Sequence, residues 1–172
     1  MGLALSLVFD ADSSLPVRGI WSAFADAGVS RDMLDLDYPP HVTLIIVDDE
    51  SLAGQINAGL TALSPLVPDS LQLGGVRQFP DTSVVWLECL GDLRTLHESA
   101  AALVPLYRIR PHYRPGGWTP HLTLQVTGDA PRAVEIARAK WRPRVAQPVR
   151  LETASFMPVK VLAGVDVGRA AR

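Results

Sequence analysis

The pentapeptide Pro-His-Val-Thr-Leu at residues 40–44 returns, with one conservative change, as Pro-His-Leu-Thr-Leu at residues 120–124. This repeat constrains the fold more than any other feature of the chain. Side chains alternate between the two faces of a β-strand. An extended reading therefore puts His41 and Thr43 on one face, with Val42 and Leu44 on the other. The second copy divides in the same way, His121 and Thr123 against Leu122 and Leu124. One face of each strand is apolar enough to lie on a core, and the other carries an imidazole beside a hydroxyl. Identity over five residues is weak evidence alone. Its weight comes from that content and from the like position of both copies, each behind a proline and ahead of a helix.

Strand and helix signals alternate along the rest of the chain. Leu3–Phe9 reads as a buried strand. Ser13, Ser14 and Pro16 announce a helix that Gly28 stops. Pro39-Pro40 precede the first motif strand, and Asp48-Asp49 can cap a helix to about Leu63, which Pro65 and Pro68 end. Residues 70–79 and 83–89 form two strands around Pro80-Asp81-Thr82. Asp92 caps a third helix with Leu93, Leu96, Ala100, Leu103 and Val104 as its apolar stripe. Residues 107–119 read as a loop with a short strand at its start. Asp129 and Pro131 open a fourth helix, and 149–159 and 161–167 supply further strands. This order predicts an α+β protein of two similar halves, one motif strand in each, forming a single domain over residues 1–172.

At 172 residues, with 48% hydrophobic and 20% charged side chains, the chain can fill one core. A net charge of −2 excludes holding long nucleic acid by charge alone. A small nucleotide or a short RNA end suits the charge better. The single cysteine, Cys89, excludes an internal disulfide and fits a reducing, cytoplasmic setting. The N-terminal apolar run is too short to span a membrane, and a monomer is the expectation. No Cys/His cluster has zinc spacing and no glycine-rich phosphate loop precedes a lysine, so neither metal nor nucleotide cofactor is expected.

Two histidines suit cleavage of a phosphodiester. One imidazole deprotonates the attacking oxygen, and the other protonates the leaving oxygen on the far side of phosphorus. A reference pKa near 6.5 allows one neutral and one charged ring near neutral pH. Thr43 and Thr123 would donate to the non-bridging oxygens. In this reading the two motif strands face each other across a cleft. The competing reading is a pair of satisfied histidines at strand starts.

The paired motifs resemble the His-x-Thr signatures of the two-histidine (2H) phosphoesterase superfamily, and most closely its 2′-5′ RNA ligase/cyclic phosphodiesterase branch. Gly75-Val-Arg-Gln-Phe-Pro, Val84-Val-Trp-Leu-Glu-Cys and Trp118 before the second motif are also similar to that branch, over about residues 3–160. The resemblance implies a bilobal fold, antiparallel sheets around a central cleft with helices outside. It implies His41 and His121 as the acid–base pair and Thr43 and Thr123 as phosphate-binding hydroxyls. The implied activity is metal-independent attack on 2′,3′-cyclic phosphates of nucleotides or RNA ends, or on 2′-5′ linkages, including their ligation. Two alternatives use the same cleft: a non-catalytic nucleotide- or RNA-end-binding module, and a phosphodiesterase for a small non-RNA metabolite.

The loop before the second motif holds Arg108, Arg110, His112, Tyr113, Arg114 and Trp118. Its arginines can meet phosphate and its aromatics can stack on a base; a solvated loop with Trp118 at its foot is the duller reading. Tyr113, Arg114, Trp118 and Phe79 are the substrate-binding candidates. Tyr38, like Phe79, precedes a turn, where core packing competes with a place at the base pocket. Trp86 and Trp141 read as core, Cys89 as a buried small hydrophobe, and His97 as a surface or packing residue. Arg138, Lys140, Arg142 and Arg144 read as a basic run late in the fourth helix.

Overall fold

The computed structural model describes residues 2–156 and 158–168. Its strands are β1 (Gly2–Phe9), β2 (His41–Val47), β3 (Leu71–Gln78), β4 (Val85–Leu90), β5 (His121–Gln125), β6 (Arg144–Ala146), β7 (Pro148–Phe156) and β8 (Lys160–Asp166). They form one antiparallel sheet in the order β6-β3-β4-β5-β2-β1-β7-β8. The motif strands β2 and β5 are its central pair, each heading a four-stranded half. The two halves meet at one registered pair, Val42 with Leu122. Within the halves pairing is far more extensive, eight residues long between β1 and β7.

Side-chain alternation follows the sequence reading. Val42, Leu44, Leu122 and Leu124 are fully buried, whereas His41, Thr43, His121 and Thr123 are half-buried on the other face. The consecutive buried residues Leu44 and Ile45 break strict alternation. A bulge opposite Leu5 and Ser6 of β1 inserts the extra residue there.

The helices are α1 (Ala11–Asp26), α2 (Asp32–Asp35), α3 (Ala53–Leu63), α4 (Arg94–Ala101) and α5 (Ala130–Lys140). Acidic caps start three of the helical segments, as short side chains that accept from orphan N–H groups do. Asp10 accepts from Ser13, Asp49 from Ser51 and Asp129 from Arg132. The first helix therefore begins ahead of Ser13 and Ser14. Both serines are buried in its opening turn, where Ser13 Oγ accepts from the Gln147 N–H and Ser14 Oγ donates to the Phe9 carbonyl. The fourth long helix ends at Lys140, so the basic run is not one helical face: Arg142 lies beyond it and Arg144 starts β6. Residues 107–119 contain two single turns, Leu106–Arg108 and Pro111–Tyr113, and Ile109 bridges Val47 at the end of β2.

The helices exchange sides. Helix α1 joins two strands of one half, β1 and β2, yet packs on β5 and α5 of the other. Helix α4 joins β4 to β5 but packs on β2 and on α3, which itself lies on β7 and β8. Val17, Ile20, Trp21 and Phe24 of α1 and Leu96 and Ala100 of α4 all enter one continuous core with both motif strands. The sparse pairing between β2 and β5 is thus backed by two helices that each cross to the opposite half. Among the described residues no helix is long and apolar enough to cross a membrane.

This interlock makes a prediction. Ile20→Ala in α1 and Leu96→Ala in α4 should each cost about 2–5 kcal/mol, the usual range for emptying a buried aliphatic site. Urea unfolding followed by far-UV and tryptophan signals should show one coincident transition for each variant. Two separated transitions would mean that the halves fold independently.

Candidate active site

Val42 and Leu122 are buried partners at the seam of the sheet, so the residues that flank them, His41 and Thr43 on β2 and His121 and Thr123 on β5, lie on the other face. The four side chains thus gather on one face where the two halves of the sheet meet. The motif strands form the seam between the two halves of the sheet. They are hydrogen-bonded neighbours whose side chains rise from the same surface, because the two apolar motif faces share one core.

Each histidine is oriented in the same way. His41 Nδ1 lies 2.8 Å from the Pro39 carbonyl, and His121 Nδ1 lies 2.7 Å from the Thr119 carbonyl. A carbonyl only accepts, so Nδ1 carries the proton and the neutral ring keeps its lone pair on Nε2. The proline of each motif helps to arrange this. It fixes its own φ and biases the preceding residue toward extended backbone, the residue whose carbonyl receives the ring proton. Burial lowers both pKa values below the ordinary histidine value, and the carbonyl hydrogen bonds oppose that fall in part. His41 is lowered further by its proximity to His121.

The two rings have different neighbours. Tyr38 packs edge-on against His41 at 4.9 Å between centroids, and its hydroxyl donates to Glu152 at 2.8 Å. Phe79 stands edge-on to His121 at 5.1 Å and stacks on Trp86, which also meets His121 edge-on. Trp86 is therefore not core. It pairs with Thr123 across β4 and β5 and lies half-buried on the histidine face. β4 alternates strictly, with Val85, Leu87 and Cys89 buried and Trp86 on the other face, while the bulge beside it puts the extra residue, Leu124, in β5. Ser6 lies across from Thr43, with the two hydroxyls 3.5 Å apart.

Beside His121 and Thr123 opens a mostly apolar pocket of about 530 Å³, walled by Phe79, Val84, Val126 and Tyr113 with His112 and Thr119 at its rim. Tyr113 and Phe79 thus fall where a planar ligand would rest. The loop's other candidates are engaged elsewhere. Arg114 donates to the carbonyls of Ile109 and Tyr107, Arg110 pairs with Asp48, and Arg108 approaches Asp49. Trp118 donates its indole N–H to the Thr43 carbonyl at 3.0 Å and stacks on His97 at 4.1 Å with the rings nearly parallel. His97, itself buried, donates from Nε2 to the Tyr113 carbonyl. Trp118 is thus a strap from the second motif's loop to the first motif's strand. Cys89 is buried, which pushes its thiol up to about 12. Among the described residues no three His, Cys, Asp or Glu side chains gather as a metal-binding cluster.

The sequence matches the 2′-5′ RNA ligase superfamily over residues 15–158. The chain belongs to that superfamily, the 2H phosphoesterases. Among solved structures it is similar to apo LigT of E. coli, with 17% identity over 98% of this chain and 99% of that one, and a TM-score of 0.60. LigT complexed with 3′-AMP is similar at 15% identity over 97% of both chains, with a TM-score of 0.56. Usb1 of Kluyveromyces marxianus with uridine monophosphate follows at 12% identity over 94% of this chain and 97% of that one, with a TM-score of 0.50. At these identities the likeness is one of fold. No curated protein matches in sequence.

The hydrogen-bonding pattern predicts a spectroscopic result. In ¹⁵N-edited NMR, His41 and His121 should both appear as the Nδ1–H tautomer at neutral pH and titrate below 6.5. Because the unfolded chain takes up these protons at higher pH than the fold does, acidification through that range should destabilise the protein. A midpoint at or above 6.5 for either residue would contradict the burial argument.

Proposed function

We propose that this protein is a metal-independent phosphodiesterase acting on 2′,3′-cyclic phosphates, on free nucleotides or RNA ends, or on 2′-5′ linkages, with 2′-5′ ligation as the reverse reaction. The observation that carries the proposal is the pair of histidines, each with a threonine two residues on along the same strand face and each with its Nδ1 proton committed to a carbonyl. That leaves two Nε2 atoms aimed away from the backbone, one for each side of a phosphate placed between them.

In the hydrolytic direction one neutral imidazole takes a proton from water as its oxygen bonds to phosphorus. The other, protonated, gives its proton to the ribose oxygen as the opposite P–O bond breaks. The product is a ring-opened monophosphate, and the proton has moved from one histidine to the other. Thr43 and Thr123, each on the same strand face as its motif's histidine, donate to the non-bridging oxygens where negative charge accumulates. The nucleoside would lie in the pocket beside His121, against Phe79 and Tyr113. Mononucleotides are ligands of this size, and 3′-AMP and uridine monophosphate accompany LigT and Usb1 in their solved structures. The net charge of −2 supports a small substrate or a short end.

The test is incubation with 2′,3′-cyclic nucleotides, and with short RNAs ending in a cyclic phosphate, in EDTA. Turnover should persist, and the 2′ or 3′ position of the product phosphate identifies the bond cleaved. His41→Ala and His121→Ala should each lower the rate more than a hundredfold, the usual contribution of a proton transfer being about 10²–10⁴. Thr43→Val and Thr123→Val should cost less. Full activity in either histidine variant, or binding of the nucleotide with no turnover, would overturn the proposal.

The acid–base scheme also fixes the sign of the pH dependence. Productive protein needs one neutral and one protonated histidine, and both pKa values are lowered by burial. The bell for kcat/KM should therefore centre on the acid side of 6.5, since kcat/KM reports the free enzyme. A profile still rising above pH 8 would be incompatible with this pair.

A further inference from the structure

We infer that Glu152 is a positioning residue for His41, acting through Tyr38; the inference rests on the reading of His41 as half of the acid–base pair. Glu152 lies on β7, two strands from the first motif. Ser6 pairs with Glu152 on one side and Thr43 on the other, so the carboxylate lies in the same cross-strand row as the motif threonine. It is only 9% exposed. One oxygen accepts from the Tyr38 hydroxyl at 2.8 Å, and the other is 2.9 Å from Nε of Arg150, which also reaches Asp166 on β8.

The consequence runs along the backbone. Tyr38 begins the link Tyr38-Pro39-Pro40-His41, whose two prolines leave few free torsions. Pairing of β2 fixes one end of this link. The Tyr38–Glu152 bond fixes the other, and the tyrosine ring rests edge-on against the imidazole. Between the two anchors sits the Pro39 carbonyl, which accepts the Nδ1 proton of His41. Losing the Glu152 anchor frees that carbonyl and, with it, the ring and its tautomer.

Among the described residues the second motif has no such anchor. His121 meets the apolar rings of Phe79 and Trp86, and its carbonyl partner Thr119 belongs to the loop strapped by Trp118. Apolar packing suffices there to hold an aromatic ring against a histidine. A buried carboxylate is a costlier way to do so and is tolerated only with donors on its oxygens. Here the Tyr38 hydroxyl donates to one oxygen, and the Arg150 guanidinium forms an ion pair with the other. The outer strands β7 and β8, which carry no motif, are thereby connected to the first histidine.

Tyr38→Phe, Glu152→Ala and the double variant test this. The readouts are the ¹⁵N tautomer signatures of both histidines and kcat and KM for a 2′,3′-cyclic nucleotide. Each single variant should mix the tautomers of His41 and leave His121 unchanged. Turnover should fall roughly tenfold with KM held within about twofold, as loss of orientation without loss of binding requires. The double variant should be no worse than the poorer single one, since both cut the same chain. Tyr38→Phe removes one oxygen atom and keeps the test alive if Glu152→Ala does not fold. An unchanged Nδ1–H signature for His41 in folded Tyr38→Phe, or equal disturbance of both histidines, would overturn the inference. The NMR readout needs no substrate. A disturbed His41 in a protein that turns over no phosphodiester would sustain the positioning role and refute the proposed function instead.

Discussion

The structure turns on one antiparallel contact, the pairing of Val42 with Leu122 where the two halves of the sheet meet. Everything at the candidate site is measured from it. A slip of one residue in this register would send the histidines into the core and the apolar residues to the surface. The contact is short, so its register is held from outside. Helices α1 and α4 each pack on the opposite half, and the Trp118 N–H ties the loop before β5 to the Thr43 carbonyl. Those three ties make two strands with little mutual pairing into a fixed platform.

Orientation of the imidazoles is the second constraint, and it is met locally. Each ring donates to a carbonyl two residues earlier in the chain, so its tautomer is set by the backbone of its own motif. The acceptor is neutral. A carboxylate in that place would stabilise the imidazolium and raise the pKa, whereas a carbonyl orients the ring with a weaker pull. Burial then dominates, and both rings fall below the ordinary value.

Much of this was legible in the sequence. The repeated motif, the alternation of His and Thr against apolar residues, and the Asp49 and Asp129 caps all act over a few residues, where period and local hydrogen bonding decide the structure. What escaped depends on distant partners. The adjacency of β2 and β5 is a topological outcome that no local pattern encodes. Trp86 looked like core because its neighbours are apolar, yet strict alternation in β4 buries Val85 and Leu87 and turns Trp86 to the histidine face. Arg110 and Arg114 looked free for phosphate because their partners, Asp48 and the carbonyls of Ile109 and Tyr107, come close only when the loop folds. Glu152 gave no signal at all: one carboxylate in a strand, 114 residues from the tyrosine that donates to it.

The near-symmetry of the two motifs bears on the chemistry proposed for them. Both histidines present the same tautomer, and both are made less basic by the same cause. Two similar groups on opposite sides of a phosphate can exchange the roles of acid and base at little cost, as reversal of a phosphoryl transfer demands. In the proposed function, cleavage and formation of a 2′-5′ bond would use one arrangement read in two directions. The asymmetry that a real substrate needs comes from the flanks. An apolar pocket opens beside His121, while a tyrosine tied to a buried carboxylate closes in on His41. A symmetric centre for proton exchange set between unlike walls accounts for how a duplicated motif handles a substrate that is not itself symmetric.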